Sequence, residues 1–400
     1  MNVIWFLLIG LCAIEVFNPY MASVAAGANG LRIFTLYVGL YWVTRLVASK
    51  PAMAYAWLAM TVYFGAITGL YGSYQYVFGF PWYDKLWAET GFAKFQTIGE
   101  QIRPFSTFSF TSTFSHYMVI AVAAAVGGVR LNGLGRATRM LAPLLALAAF
   151  SGILFSFVRS SFVGVLVAVI VGGIVSGEPK SRGRRVMLVF GVGALLLFAM
   201  PGSRHESQVF EPPSTTSELV SERMLSVRDP SKVETFNTRV AMWMKITEGC
   251  TTTFPIGVGL GAGQAPRFGG DQNAAAFAYT ESQFFSAMAE MGWPGFGLFC
   301  FVTAYGFLYS LRTYDKLEDP ERKAIVLTCM MMQVGILVAG LTGGAILYTL
   351  PGSAYYWSAL GMVAAMSRAQ RLEKWQAEQA AAGPPPPFSE IARGRQRLRY

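Results

Sequence analysis

The chain has 400 residues, 54% of them hydrophobic and only 14% charged, where soluble domains carry about a quarter charged. That composition, with a mean hydropathy of +0.42, excludes a string of soluble domains and points to one body dissolved in lipid. A formal charge of +10 from 32 Lys+Arg must then be placed. Two histidines and four cysteines (Cys12, Cys250, Cys300, Cys329) show no CxxC or HxxxH spacing, so neither a Cys/His zinc site nor a disulfide framework is expected.

Apolar runs near 20 residues read as spanning helices, because a helix satisfies its own backbone in hydrocarbon. In chain order they fall at 3–17, 31–48, 52–70, 107–127, 139–157, 159–176, 185–201, 283–309, 322–342 and 345–366. A half-helix within 18–30 would raise the number, so the expected fold is an all-α polytopic membrane protein with about 10–12 transmembrane helices. The first segment has no charged leader and no A-x-A site after it, and reads as an uncleaved anchor. The expected divisions are transmembrane helices over 1–201, a large loop over 202–280, further helices over 281–370, and a basic, Pro-rich tail over 371–400.

Twenty of the 32 cations fall on one side of this arrangement, which positive-inside places in the cytoplasm together with both termini. The tail reads as a disordered segment near anionic headgroups; its proline tract without interleaved aromatics argues against nucleic acid. Outside lie an aromatic segment, Tyr71–Ser106, with Trp82, Tyr83 and Trp87 suited to the interface, and the loop 202–280. That loop carries helix signals at Ser217 and at Asp229-Pro230, the second running to a stop at Gly249. A long loop with its own helices is expected to be functional.

Several residues have the chemistry for a site. The apolar stretch 142–177 is too long for one span and is interrupted only at Arg159-Ser160-Ser161, so a helical hairpin is expected to turn there on the external face. Arg159 is either a snorkelling turn residue or an anion contact, for which its planar fork suits phosphate oxygens. On the loop's second helix, Phe236, Val240 and Trp243 form an apolar face with Arg239 on its border. Arg103 stands just outside the fourth span. Glycines at 257, 259, 261 and 263 permit close backbone approach: Gly257 and Gly259 either cradle a phosphate on their N–H groups or make a close-packed turn. Glu281, at the mouth of the eighth span, is a general-base candidate or a helix cap, with Tyr279 beside it. A lone histidine within a span, His116, is more readily a hydrogen-bonded packing residue than a base.

Four stretches together resemble the bacterial O-antigen ligase and polysaccharide polymerase superfamily. They are Arg103-Pro104-Phe105-Ser106-Thr107-Phe108; Phe157-Val158-Arg159-Ser160-Ser161-Phe162; Arg239-x-x-x-Trp243 with Pro255-x-Gly257-Val258-Gly259-Leu260-Gly261; and Glu281-Ser282-Gln283-Phe284-Phe285 with Glu290, Gly292 and Gly295. The resemblance implies a C-type glycosyltransferase-like architecture. It also implies metal- and cofactor-independent glycosyl transfer, at the periplasmic face of the bacterial inner membrane, from a glycan on undecaprenyl pyrophosphate. Arg159 and Arg239 would hold the diphosphate, with Arg103 and Arg267 as weaker contacts. Chain-length regulator and flippase proteins are the implied partners, besides membrane lipids. Ligases of the family carry a histidine–asparagine pair where this chain has Glu281-Ser282, which favours a polymerase. A transporter of lipid-linked anions is the competing class, but no internal repeat supports it.

Overall fold

The computed structural model describes residues 2–21, 23–89, 97–98, 101–177, 234–262, 280–343 and 350–381. Its helices are α1 (Asn2–Glu15), α2 (Val24–Leu36), α3 (Gly39–Val47), α4 (Pro51–Phe78), α5 (Trp82–Glu89), α6 (Thr111–Gly128), α7 (Arg136–Ser156), α8 (Arg159–Ser176), α9 (Glu234–Thr252), α10 (Gln283–Lys316), α11 (Pro320–Thr342) and α12 (Gly352–Ala381). One antiparallel ladder of two residues per strand, Thr97–Ile98 with Gln101–Ile102, precedes α6. The described chain is otherwise helical and loop, an all-α polytopic membrane protein.

Among the described residues, five helices are long and apolar enough to cross a membrane: α4, α7, α8, α10 and α11. α1 is apolar but shorter. α6 stands in the fourth expected span, with a start made polar by Thr111, Ser112, Thr113, Ser115 and His116. The second expected span, 31–48, is two helices parted at Tyr37-Val38, and the first begins earlier, where Ser23 Oγ accepts the Ala26 N–H. α4 runs eight residues past its expected end at 70. The expected span 185–201 and the loop's first helix signal at Ser217 lie outside the described residues, as does the tail beyond 381.

α6 and α11 form the centre. α11 is apolar on all sides and buried over most of its length, as is α6, so neither has a face to give to lipid. α4, α7 and α8 surround them. Small residues let the backbones close in: a Cβ on Gly69 would stand 2.9 Å from Ala149 Cα, the close approach that membrane helices use for association. Facing outward are Phe6, Leu7 and Ile14 on α1, Met60, Phe64 and Ile67 on α4, and Leu144 and Leu147 on α7. In water these would be an aggregating surface; in a bilayer they are the solvated one.

Candidate active site

The site is built where α9 docks on α10. Residues 239, 243, 246 and 250 recur at helical spacing and lie on one stripe of α9. The stripe meets α10 residue by residue: Trp243 stacks on Phe285 with ring centroids 5.0 Å apart and planes 2° from parallel. Ile246 and Cys250 are buried against Met288 and Ala289, and the Cys250 thiol donates to the Met288 carbonyl at 3.3 Å. At the open end of the stripe, the Arg239 guanidinium pairs with the Glu281 carboxylate, both Nε and Nη2 reaching Oε2. Their side chains are 27% and 42% exposed, so the pair is reachable from solvent.

The expected apolar face therefore shifts. Arg239 lies in line with the packing stripe rather than at its border, Val240 is half-buried, and the Phe236 side chain lies outside the described residues. α9 also continues past Gly249 to Thr252, its last turn held by Thr251 and Thr252 hydroxyls on the carbonyls of Thr247 and Glu248.

The glycine loop after α9 is spliced into a break in α10. Pro294 has no N–H, so the Glu290 carbonyl has no donor four residues on. Gly292, with φ +63° and ψ −162°, breaks the helical path there. The loop supplies what is missing: Gly259 N–H donates to Glu290 O and Val258 N–H to Ala289 O, both at 2.9 Å, while Trp293 N–H donates to Pro255 O at 3.1 Å. Gly257 has φ +78°, and a Cβ there would sit 2.5 Å from the Glu290 carbonyl group. Asn18, after α1, clamps the loop from the other side, donating to the carbonyls of Ile256 and Gly257 at 3.3 Å and to Glu15 Oε2 at 2.7 Å.

Of the two sequence readings of this loop, the geometry carries the close-packed turn. The Gly257 N–H goes to Phe254 O and the Gly259 N–H to Glu290 O, so neither is open to a phosphate. What the loop does is fix the angle of α10's first two turns, and with them Glu281.

Arg159 opens α8 as the hairpin reading expects. Phe157 in a left-handed conformation (φ +54°) ends α7, extended Val158 follows, and Arg159 is the first helical residue, half-buried. Ser161 Oγ donates to Ser115 Oγ at 3.0 Å, tying the turn to α6. Arg103 lies on the loop between the strand Gln101–Ile102 and α6, and its carbonyl accepts the Thr111 hydroxyl at 3.3 Å. Arg267 and Tyr279 lie outside the described residues.

Sequence reasoning passed over the residue that holds the Arg103 loop. Gln75, on α4, is 1% exposed. Its Oε1 accepts the N–H groups of Phe105 and Ser106 at 3.2 and 2.7 Å. Its Nε2 donates to Asp84 Oδ2 at 2.7 Å and to Ser106 O at 3.1 Å, and Tyr71 donates to the same Asp84 oxygen at 2.7 Å. A glutamine inside an apolar helix was the available signal.

The region from 144 to 300, which runs from within α7 into α10, matches the family model for O-antigen ligases. That match supports the O-antigen ligase and polysaccharide polymerase superfamily for this chain. The matched region holds Arg159, Arg239, the glycine splice and Glu281, whereas Arg103 and Gln75 precede it. No match was found among curated proteins.

Proposed function

We propose that the chain is a polysaccharide polymerase, transferring a glycan from undecaprenyl pyrophosphate to a hydroxyl of another lipid-linked repeat unit. The observation that carries this reading is the Arg239–Glu281 pair at the solvent-reachable end of the α9–α10 contact. It sets a cation suited to a diphosphate against a carboxylate suited to an acceptor hydroxyl. In the reaction, the acceptor oxygen bonds to the anomeric carbon as the bond from that carbon to the phosphate oxygen breaks. The diphosphate leaves with the electron pair, and the acceptor proton passes to a base. Fixed cations stabilise that leaving charge without reorganising; Arg239 and Arg159 are assigned to it. Glu281 takes the proton, or orients the hydroxyl for another base.

Glu281-Ser282 in place of the ligases' histidine–asparagine pair supports polymerase over ligase. The charge distribution supports a reaction at the periplasmic face of the inner membrane, with both termini cytoplasmic. The ligase reading, with lipid A-core or protein as acceptor, is favoured by the description of the matched family and shares the donor and the arginines. Reconstitution with purified lipid-linked repeat unit as sole substrate separates them. A ladder of longer chains is expected; transfer that begins only when lipid A-core is added would replace polymerase with ligase.

A further inference from the structure

α4 is longer than a bilayer needs. Its 28 residues run about 42 Å at 1.5 Å each, against a hydrocarbon core of about 30 Å, or roughly 20 residues. It starts beside exposed Lys50, a cation that belongs among headgroups. Tyr71, 20 residues on from Pro51, then stands at the opposite edge of the hydrocarbon, and the last two turns project beyond it. Met60, Phe64, Ile67, Tyr74 and Phe78 lie on one stripe of α4 at helical spacing, all exposed, and Tyr71 falls in the same stripe.

α5 folds back onto that stripe. The Tyr83 hydroxyl meets the Tyr71 hydroxyl at 2.8 Å, while Tyr71 gives its own proton to Asp84 Oδ2 at 2.7 Å. Tyr83 is therefore the donor of the first bond, at the level of Tyr71. The helical repeat divides α5 into three arcs. Asp84 and Ala88 are buried, and Lys85 and Glu89 are exposed and charged. Trp82, Tyr83 and Leu86 make the third arc, apolar and exposed, with Trp82 at 73%. A helix with one apolar and one charged arc suits the plane of a membrane interface. The buried arc reaches the Arg103 loop: Asp84 accepts from Gln75, which holds Phe105 and Ser106. Trp87 Nε1 donates to Ser109 O at 3.4 Å. Ser106 Oγ donates to Thr68 O at 2.8 Å, which sets the loop close to the hydrocarbon edge.

We propose that Trp82, Tyr83 and Leu86 dock α5 on the bilayer interface, so that the phospholipid surface itself holds the Arg103 loop at headgroup depth. The occupant is the lipid that already covers α4, because the two surfaces are continuous through Tyr71 and Tyr83. Exposed aromatics also pack against sugar rings, but Tyr83 has given its hydroxyl proton within the protein, and Leu86 offers no polar group. The inference goes beyond the transfer reaction and holds for either acceptor.

The protein holds nine tryptophans, so 19F spectra of the fluorotryptophan-labelled full chain in phosphatidylcholine nanodiscs are read for the signal that W82F removes. Lipid with a nitroxide near its headgroup is expected to broaden the Trp82 line more than lipid with the nitroxide at its acyl end. An aqueous gadolinium chelate should broaden it least. Strongest broadening by gadolinium, or by the acyl-end nitroxide, would take this face off the interface and overturn the proposal. So would no broadening by any of the three, the mark of a face covered by a second copy. A line that soluble oligosaccharide shifts, and that the lipid nitroxides leave alone, would make the face a glycan surface instead. For the hold on the loop, W82D/L86D in the same nanodiscs should be cleaved between α5 and α6 roughly tenfold faster than the parent, since proteolysis follows local opening. W82F/L86F should be cleaved like the parent. Cleavage of W82D/L86D at the parent rate would show that the bilayer does not hold the loop.

Discussion

Arg239 and Glu281, 42 residues apart in sequence, meet as an ion pair through a single carboxylate oxygen, Oε2. Two consequences follow from that geometry. The guanidinium keeps donors for a second anion, and Glu281 holds the place an entering phosphate would compete for. Because both side chains are partly exposed, the pair contributes only about 0.2–1 kcal/mol to folding, so variants at either position report on the reaction rather than on stability. Arg239→Ala is expected to abolish long-chain product while single lipid-linked units persist, with an unfolding temperature near that of the parent. The swap R239E/E281R should restore the pair and not the polymer. Polymer of normal length from Arg239→Ala would remove Arg239 from the mechanism.

Arg159 is subject to the same assay with a different expectation. Loss of one group that stabilises developing charge costs about 10²–10³ in kcat, so Arg159→Ala should leave a trace of product on long incubation. Arg159→Lys should recover part of the rate, since lysine keeps the charge and loses the planar fork. Product chain lengths on a gel, with donor held in excess, separate these outcomes. Full recovery with lysine would mean that point charge alone matters there.

The fold was legible in the sequence wherever one helix had to satisfy one apolar run. The hairpin at Arg159 is the clearest case, because 142–177 exceeds a bilayer's thickness and offers one polar interruption. The second span was misjudged since Tyr37 and Val38 give no turn signal; the break there is set by packing. At the site, residue types were legible and partners were not. Arg239 and Glu281 stood out as charges near span ends, but nothing local says that residue 239 meets residue 281. The glycines at 257 and 259 announced close approach, and the sequence left open whether a ligand or a protein backbone does the approaching. Pro294 decided it, by leaving the Glu290 carbonyl, far along the chain from the loop, without its helical donor.

The splice between that loop and α10 predicts a stability defect with a defined cause. Gly257→Ala puts a Cβ against the Glu290 carbonyl in a left-handed backbone conformation, where an L-residue costs about 1–2 kcal/mol before any clash. The loop must retreat, and the carbonyls of Ala289 and Glu290 lose their donors, at about 1–3 kcal/mol for each buried group. A fall in unfolding temperature in detergent, together with lost activity, is expected for Gly257→Ala and for Gly292→Ala. Exposed Gly297, where a Cβ meets nothing within 4 Å, serves as the control, and its alanine variant should be close to neutral. Equal effects at all three positions would argue against the splice.

Gln75 predicts a different pattern. Gln75→Leu keeps the volume in α4 and strands the N–H groups of Phe105 and Ser106 together with one hydrogen bond to Asp84. Each buried group left unpaired costs about 1–3 kcal/mol. Gln75→Glu keeps the acceptor but sets a second carboxylate against Asp84. Both variants should lower the unfolding temperature and mobilise the Arg103 loop, read as faster proteolysis between α5 and α6. A Gln75→Leu protein as stable and as resistant as the parent would show that the clamp is incidental.

The last prediction uses the thiol at the closed end of the α9–α10 stripe. Cys250 is fully buried with its Sγ on the Met288 carbonyl, and burial pushes the thiol up to about 11, against about 8.5 for a free cysteine. A folded-state value above the unfolded one means the folded state holds its proton longer. The resulting stabilisation is complete below about pH 8.5 and is lost as pH climbs toward 11. At pH 7.5 the native protein should therefore leave Cys250 unmodified by maleimide, for want of both thiolate and access, and label it once denatured. Between pH 8.5 and 11, the stability advantage of the parent over Cys250→Ala should shrink steadily. Rapid labelling of native Cys250 at pH 7.5 would mean that α9 does not rest on α10 as described, and the Arg239–Glu281 geometry would fall with it.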